Sequence, residues 1–198
     1  MSAKNKTPLL SSRFALALQF ANEIHSTQVR KGLGVPYISH LMAVSALVLE
    51  NGGNESEAIA ALLHDSAEDC GGQPMLGAVR ATFGNDVADI VESCTDAFEE
   101  PKPAWRPRKE AYVAHLATAS PSVKLVAGCD KLHNLRSTLR DLKSGQAADY
   151  WSRFTASADS QAWYYGECGK AIADSPASAE FDQAYEEFLG ILKMRGDL

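Results

Sequence analysis

His64, Asp65, Glu68 and Asp69 fall within six consecutive residues, directly after the apolar run Ala58-Ile-Ala-Ala-Leu-Leu63. A helix that is apolar on all sides is buried, so this run carries its polar successors to the edge of a core. Residues four apart share a helix face. If the helix continues, His64 therefore stacks with Glu68 and Asp65 with Asp69. One imidazole and three carboxylates packed beside a core are costly unless shared protons or a cation neutralise them. Acids capping a short exposed helix would be the plainer reading, but the buried run and the histidine argue against it. The wall has the composition of a metal site.

One helix cannot supply all the ligands of a divalent ion. His40 closes the segment Pro36-Tyr-Ile-Ser-His40 and opens the next helix, from which it can face the wall. Asp130 emerges from the apolar stretch Val126-Ala-Gly-Cys-Asp130, and Asn134 follows it on the same helical face. His40, His64, Asp65 and Asp130 form a nitrogen–oxygen set without a thiolate. Such a set suits manganese, iron or zinc in a catalytic centre better than structural zinc, and it disfavours calcium.

Helical periodicity dominates the elements that must position these groups. Phe14, Leu18, Ala21 and Ile24 form a 3.6-period stripe over 10–29, with Ser11 or Ser12 as cap, until two glycines and Pro36 break the pattern. Further helices are expected over 39–50, from Asn54 onward, and over 74–83, 85–97, 105–117 and 122–142. Two or three shorter ones follow, the last near 177–194. No alternating pattern indicates a strand. The expected fold is an all-α bundle of many short helices in one domain over 1–198, with a core at about 10–142 and a helical extension over 147–196.

Hydrophobic residues make up 45% of the 198 and the net charge is −6. The negative field excludes non-specific nucleic-acid binding and requires a local basic patch for any anionic substrate. No apolar stretch approaches the ~20 residues of a membrane span, and the first eight residues carry no secretory h-region. Cys70, Cys94, Cys129 and Cys168 are scattered, with no CxxC pair, as expected of reduced thiols in a cytoplasmic protein. The expected partner is a small molecule, with no nucleic acid and no membrane; formation of a homo-oligomer stays open.

Several segments appear together and in order: Gln28-Val-Arg30-Lys31, Pro36 to His40, Ala61 to Asp69, Phe83-Gly84, Val91 to Asp96 and Asp130-Lys-Leu-His-Asn134-Leu-Arg136. Over about Phe14 to Arg140 the chain resembles the HD hydrolase domain of RelA/SpoT proteins and their stand-alone relatives, the small alarmone hydrolases. The resemblance implies that His40, His64, Asp65 and Asp130 hold one Mn²⁺. It implies that Glu68 and Asp69 are the catalytic pair that positions and deprotonates the attacking water. Arg30, Lys31 and Asn134 match positions that contact the nucleotide, and Ser137, at helical spacing from Asn134, joins them as a candidate for the ribose pocket. The implied reaction removes the 3′-pyrophosphate of (p)ppGpp, giving GDP or GTP and pyrophosphate. The stretch after Arg140 is too short for the synthetase half of the long RelA/SpoT proteins, so synthesis is not expected.

Three alternatives remain at this stage: the same site acting on (p)ppApp, the same site removing the 2′-phosphate of NADPH, and a nucleotide-binding regulator without catalysis. Arg136 and Arg140 can serve as phosphate contacts or as surface charge. His25, His115 and His133 are read as packed or exposed imidazoles, with His25 near enough to Arg30 to support the pocket. Lys102, Trp105, Arg106, Arg108 and Lys109 form either a lip over the site or a plain loop. Trp151, Phe154, Trp163, Tyr164 and Tyr165 suit core packing more than base stacking.

Overall fold

The computed structural model describes residues 9–31, 34–98, 101–144 and 150–198. Among them are ten α-helices and one 3₁₀ turn, and no strand, so the chain is all-α as the periodicity requires. Residues 1–8, read above for a leader, and 147–149, where the C-terminal extension was expected to begin, lie outside the described residues.

Helix α1 (Ser12–Ile24) is capped by Ser11, whose Oγ accepts from the Arg13 amide at 3.1 Å. It stops five residues short of the expected end. The loop that follows pairs across itself instead: Arg30 N–H donates to Val35 O at 2.8 Å and Tyr37 N–H to Gln28 O at 3.0 Å. This narrow loop competes successfully with the helix and carries Gln28, Arg30 and Tyr37 to the site.

Helix α2 (Ile38–Glu50) opens at His40's turn, and α3 (Glu55–Leu63) opens on a capping box. There the Asn54 side chain takes the Glu57 amide at 3.1 Å and the Glu57 carboxylate takes the Asn54 amide at 2.7 Å. Ala58 to Leu63 are wholly buried, which confirms the reading of that run. The helix does not continue through His64 and Asp65, however. It breaks there, and the five-residue α4 (Ser66–Cys70) starts anew before Gly71 turns the chain at φ +139°.

Beyond it come α5 (Gly72–Phe83), α6 (Asn85–Cys94), α7 (Trp105–Ala117) and α8 (Pro121–Lys143). α6 ends three residues before its expected limit, as Thr95 leaves helical geometry. α8 is the central rod: it packs on α2, α3 and α6 and also on α9 (Ala158–Ala171) and α10 (Ser178–Arg195). Side chains of the segment between α9 and α10 pack onto α8 at Gly128, where an added Cβ would lie 3.2 Å from Ile172 Cδ1. No helix among the described residues is long and apolar enough to cross a membrane.

Candidate active site

The break after α3 is where the site forms. His64 caps that helix, Asp65 precedes α4, His40 comes from the first turn of α2 and Asp130 from the middle of α8. His40 Nε2 lies 3.1 Å from Asp130 Oδ1 and 3.7 Å from Asp65 Oδ2. His64 Nε2 lies 3.1 Å from Asp65 Oδ2 and 3.5 Å from Asp130 Oδ1. Three of these side chains, His40, His64 and Asp65, offer donor atoms within 4.8 Å of one another.

The cluster is shaped for a cation. His64 Nδ1 faces Ala61 O at 2.8 Å, so Nδ1 carries a proton and Nε2 points inward at the Asp65 and Asp130 carboxylates. Buried as it is, that Nε2 makes no hydrogen bond of good geometry. Burial disfavours a charged ring, yet Asp65 and Asp130 outweigh it and hold His64 well above the ordinary imidazole pKa. The pocket between the carboxylates thus demands positive charge, and two imidazoles with two carboxylates can give it to a divalent ion.

Neighbouring groups aim each ligand. Tyr37 Oη donates to Asp65 Oδ2 at 2.6 Å; burial first and then the Asp65 charge push the phenol's pKa far up, so it stays a donor. Asn134 Nδ2 donates to Asp130 Oδ1 at 2.7 Å, and Lys131 Nζ to the other oxygen at 2.5 Å. His133 Nδ1 stands 2.7 Å from His40 Nδ1.

Glu68 and Asp69 line the cleft beside the cluster. Because the helix breaks, they do not extend a continuous wall below His64 and Asp65, as the periodicity suggested. One helical hydrogen bond survives, from the Asp69 amide to Asp65 O at 2.9 Å. Glu68 Oε1 accepts from Lys102 Nζ at 2.8 Å; burial, and next the charge of Asp96, raise the Glu68 pKa. Asp69 Oδ2 accepts from Gln28 Nε2 at 2.7 Å. The other end of that amide meets His25 Nδ1 at 2.6 Å, and the buried His25 ring stacks on Tyr37 at 5.2 Å.

The cleft encloses about 890 Å³, and its walls include Arg30, Lys31, Lys102, Lys109, Lys131 and Arg140. This is the basic patch that a chain of net charge −6 needs for an anionic ligand. Arg30 donates to Asn134 Oδ1 at 2.7 Å, and Ser137 lies farther along the same wall. Arg136 is not part of the cleft; it pairs with Glu180, so its reading as a phosphate contact is dropped. The basic segment runs from irregular chain at Lys102 into the first turns of α7, and ion pairs pin it. Asp96, 3% exposed, grips Arg108 at 2.6 Å and Lys109 beside it, while Lys102 turns inward to Glu68. Tyr164 and Tyr165 are buried, and Phe154 lines the cleft. A separate cleft of about 700 Å³ among Glu55, Asp86, Asp89 and His115 contains none of the expected site residues.

Sequence reasoning missed the supporting roles of Tyr37, His133, Lys102 and Lys131. His133 carried a usable signal, since it follows Asp130 by three residues on one helix face. Lys102 carried none, because nothing local ties it to α4.

The HD domain family matches residues 17–153 of this chain. The guanosine-3′,5′-bis(diphosphate) 3′-pyrophosphohydrolase MESH1 of Xenopus tropicalis is 38% identical over 142 residues, covering 69% of this chain and 76% of that protein. The Homo sapiens protein of the same name is 37% identical over 132 residues, covering 65% and 71%. Among solved structures, a metazoan ortholog of SpoT that hydrolyzes ppGpp superposes with a TM-score of 0.67 at 27% identity, over 98% of this chain and 99% of its own. The protein lmo0812 of Listeria monocytogenes EGD-e follows with a TM-score of 0.64 at 30% identity, over 78% and 99%. An HD domain implies a divalent metal, and the histidine–aspartate cluster fits one. With its matched span, its helical architecture and that cluster in agreement, the chain belongs to the HD domain family.

Proposed function

We propose that this protein is a metal-dependent pyrophosphohydrolase that removes the 3′-pyrophosphate of (p)ppGpp, releasing GDP or GTP. The observation that carries the reading is the placement of Glu68 and Asp69 beside the His40–His64–Asp65–Asp130 cluster, in one cleft walled by cations. The MESH1 relatives are named for this reaction. Those four residues would hold Mn²⁺. Such an ion, when bound, supplies Lewis acidity and lowers the pKa of water.

The chain's own groups do the rest. Glu68, with its pKa raised by burial and by Asp96, is suited to take a proton from the attacking water. Lys102 keeps the carboxylate oriented, and Gln28 does the same for Asp69. Hydrolysis breaks the bond between the 3′ oxygen and the diphosphate. The water's hydroxyl joins the departing diphosphate, and its proton returns to the 3′ oxygen by way of the acid pair. Arg30 and Lys31 bind the nucleotide's anionic groups, Asn134 braces Arg30, and Ser137 borders the ribose.

The test is release of phosphate and pyrophosphate from ppGpp, pppGpp, ppApp and NADPH, each with Mn²⁺ and again with EDTA. Metal-dependent pyrophosphate from ppGpp is the expected result. Preference for ppApp would change the base, and phosphate from NADPH alone would overturn the substrate while keeping the site. No turnover of any of the four would leave a nucleotide-binding regulator.

A further inference from the structure

Two lysines and two tyrosines form a second polar cluster at the cleft wall, joined to the candidate metal site through Lys131, which pairs with Asp130. Lys109 on α7 and Lys131 on α8 both border the cleft, as does Tyr164 on α9. Lys131 Nζ stands 5.1 Å from the Tyr112 ring centre and 5.9 Å from that of Tyr164. Lys109 Nζ stands 4.8 Å from Tyr164 and 5.9 Å from Tyr112. The two ammonium groups therefore flank the same pair of rings.

Both tyrosines are 5% exposed; the Tyr112 hydroxyl has no hydrogen-bond partner, and the Tyr164 hydroxyl has none stronger than a thiol. The polar neighbour of the Tyr164 hydroxyl is the Cys168 thiol, a weak acceptor one turn along α9. Buried hydroxyls are seldom left this way unless a ligand or water takes them up.

Charge points to the nature of that ligand. Asp96 is shared between Arg108 and Lys109, Glu68 is taken by Lys102, and Asp130 by Lys131. Lys102 also reaches Asp69 at 3.7 Å, so four cations meet four carboxylates, but Lys109 shares its one carboxylate with Arg108 and faces the Lys131 ammonium. Burial, and then that ammonium, press Lys109 below the usual lysine range, as expected of a cation set beside another in a partly dry wall.

Position completes the argument. Asp130 turns one oxygen toward His40 and the other onto Lys131, so this cluster adjoins the metal centre. We propose that Lys109, Lys131, Tyr112 and Tyr164 form the seat for the distal phosphate of a diphosphate group. The inference rests on the hydrolytic reading above and deepens it. A diphosphate ester spans the metal cluster and the seat together, whereas a monophosphate ester engages the metal cluster alone. Lys109, Tyr112 and Tyr164 are therefore the residues that select diphosphate esters.

The test is calorimetric titration of the metal-loaded protein with inorganic pyrophosphate and with inorganic phosphate, the divalent ion kept in excess over the ligand. Tyr164→Phe removes a hydroxyl whose one polar neighbour is the Cys168 thiol and keeps the packed ring. Lys109→Met removes the ammonium, with Arg108 left to pair Asp96. Pyrophosphate should bind ~10-fold or more weakly to Lys109→Met and several-fold more weakly to Tyr164→Phe, as loss of a hydrogen bond to a charged group implies. Phosphate affinity should stay within ~2-fold of the parent protein. If Lys109→Met does not fold, Tyr164→Phe decides alone. Unchanged pyrophosphate affinity in the folded variants, or an equal loss for both ligands, overturns the seat. The outcomes separate the two readings: selective pyrophosphate binding without ppGpp turnover upholds the seat and sinks the substrate, and ppGpp turnover with unchanged variants does the reverse.

Discussion

His133 Nδ1 lies 2.7 Å from Nδ1 of His40, so the ring that offers Nε2 to the metal cluster is held from behind by a second imidazole. Burial, then the nearby charges of His40 and Arg30, push His133 down to about 4. It is therefore neutral at pH 7 and can accept the His40 Nδ1 proton.

Replacing His133 with Ala should lower divalent-metal affinity by ~10–100-fold, the usual cost of losing a group that orients a ligand. Calorimetric titration with Mn²⁺ reads it; an affinity equal to that of the parent protein would remove His133 from the site.

Metal removal should be visible in stability as well as in turnover. At a free concentration of 100 Kd a bound ion adds ~2.7 kcal/mol to the folded state. For a chain of this size that is a rise of several degrees in Tm, reversed by EDTA. Asp65→Ala and Asp130→Ala should lose both the shift and the hydrolysis. A Tm response that survives in either variant would place the ion elsewhere.

Glu68→Ala should separate chemistry from metal binding. Mn²⁺ affinity should be retained while kcat falls ~10²–10⁴-fold, as expected for a lost general base. A retained rate would assign proton transfer to another group.

Gln28→Ala should act on Asp69 and on His25, the two partners of its amide. Without its amide donor the carboxylate loses its orientation, and kcat should drop roughly 10- to 100-fold with metal affinity unchanged. The same rate in both proteins would mean that Asp69 needs no guidance from this loop.

Asp96 gives a pH signature. Burial raises its pKa, but Lys109 and Arg108 outweigh that and hold it down to about 2, against 3.8 for a free side chain. A depressed carboxylate contributes stability above its unfolded pKa and loses it as pH falls through the folded value. The contribution is on the order of 2 kcal/mol above pH ~4. Urea melts of Asp96→Asn should show that deficit at pH 6 and a narrowing gap from pH 4 downward; a gap independent of pH would contradict the assignment.

Much of this protein was legible in its sequence because the relevant signals are local. The apolar run Ala58 to Leu63 marked a buried helix that was expected from Asn54 onward, and α7 occupies the residues that its periodicity marked. Residue types alone also named an oxygen–nitrogen metal set, and the structure brings His40, His64, Asp65 and Asp130 together. Those properties depend on neighbours three or four positions away, which helical geometry fixes without reference to the rest of the fold.

The tertiary structure decided the remainder. α3 ends at His64, whose ring meets His40 from α2 and Asp130 from α8. α1 stops early because the Gln28–Tyr37 loop pairs across itself and reaches the acids of α4. Lys102 meets Glu68 across 34 positions, and Lys109 and Lys131 converge on the same two tyrosine rings from different helices. Such meetings depend on how helix faces pack against one another, and the energy that selects one packing is spread over the whole core rather than written beside any one of these residues.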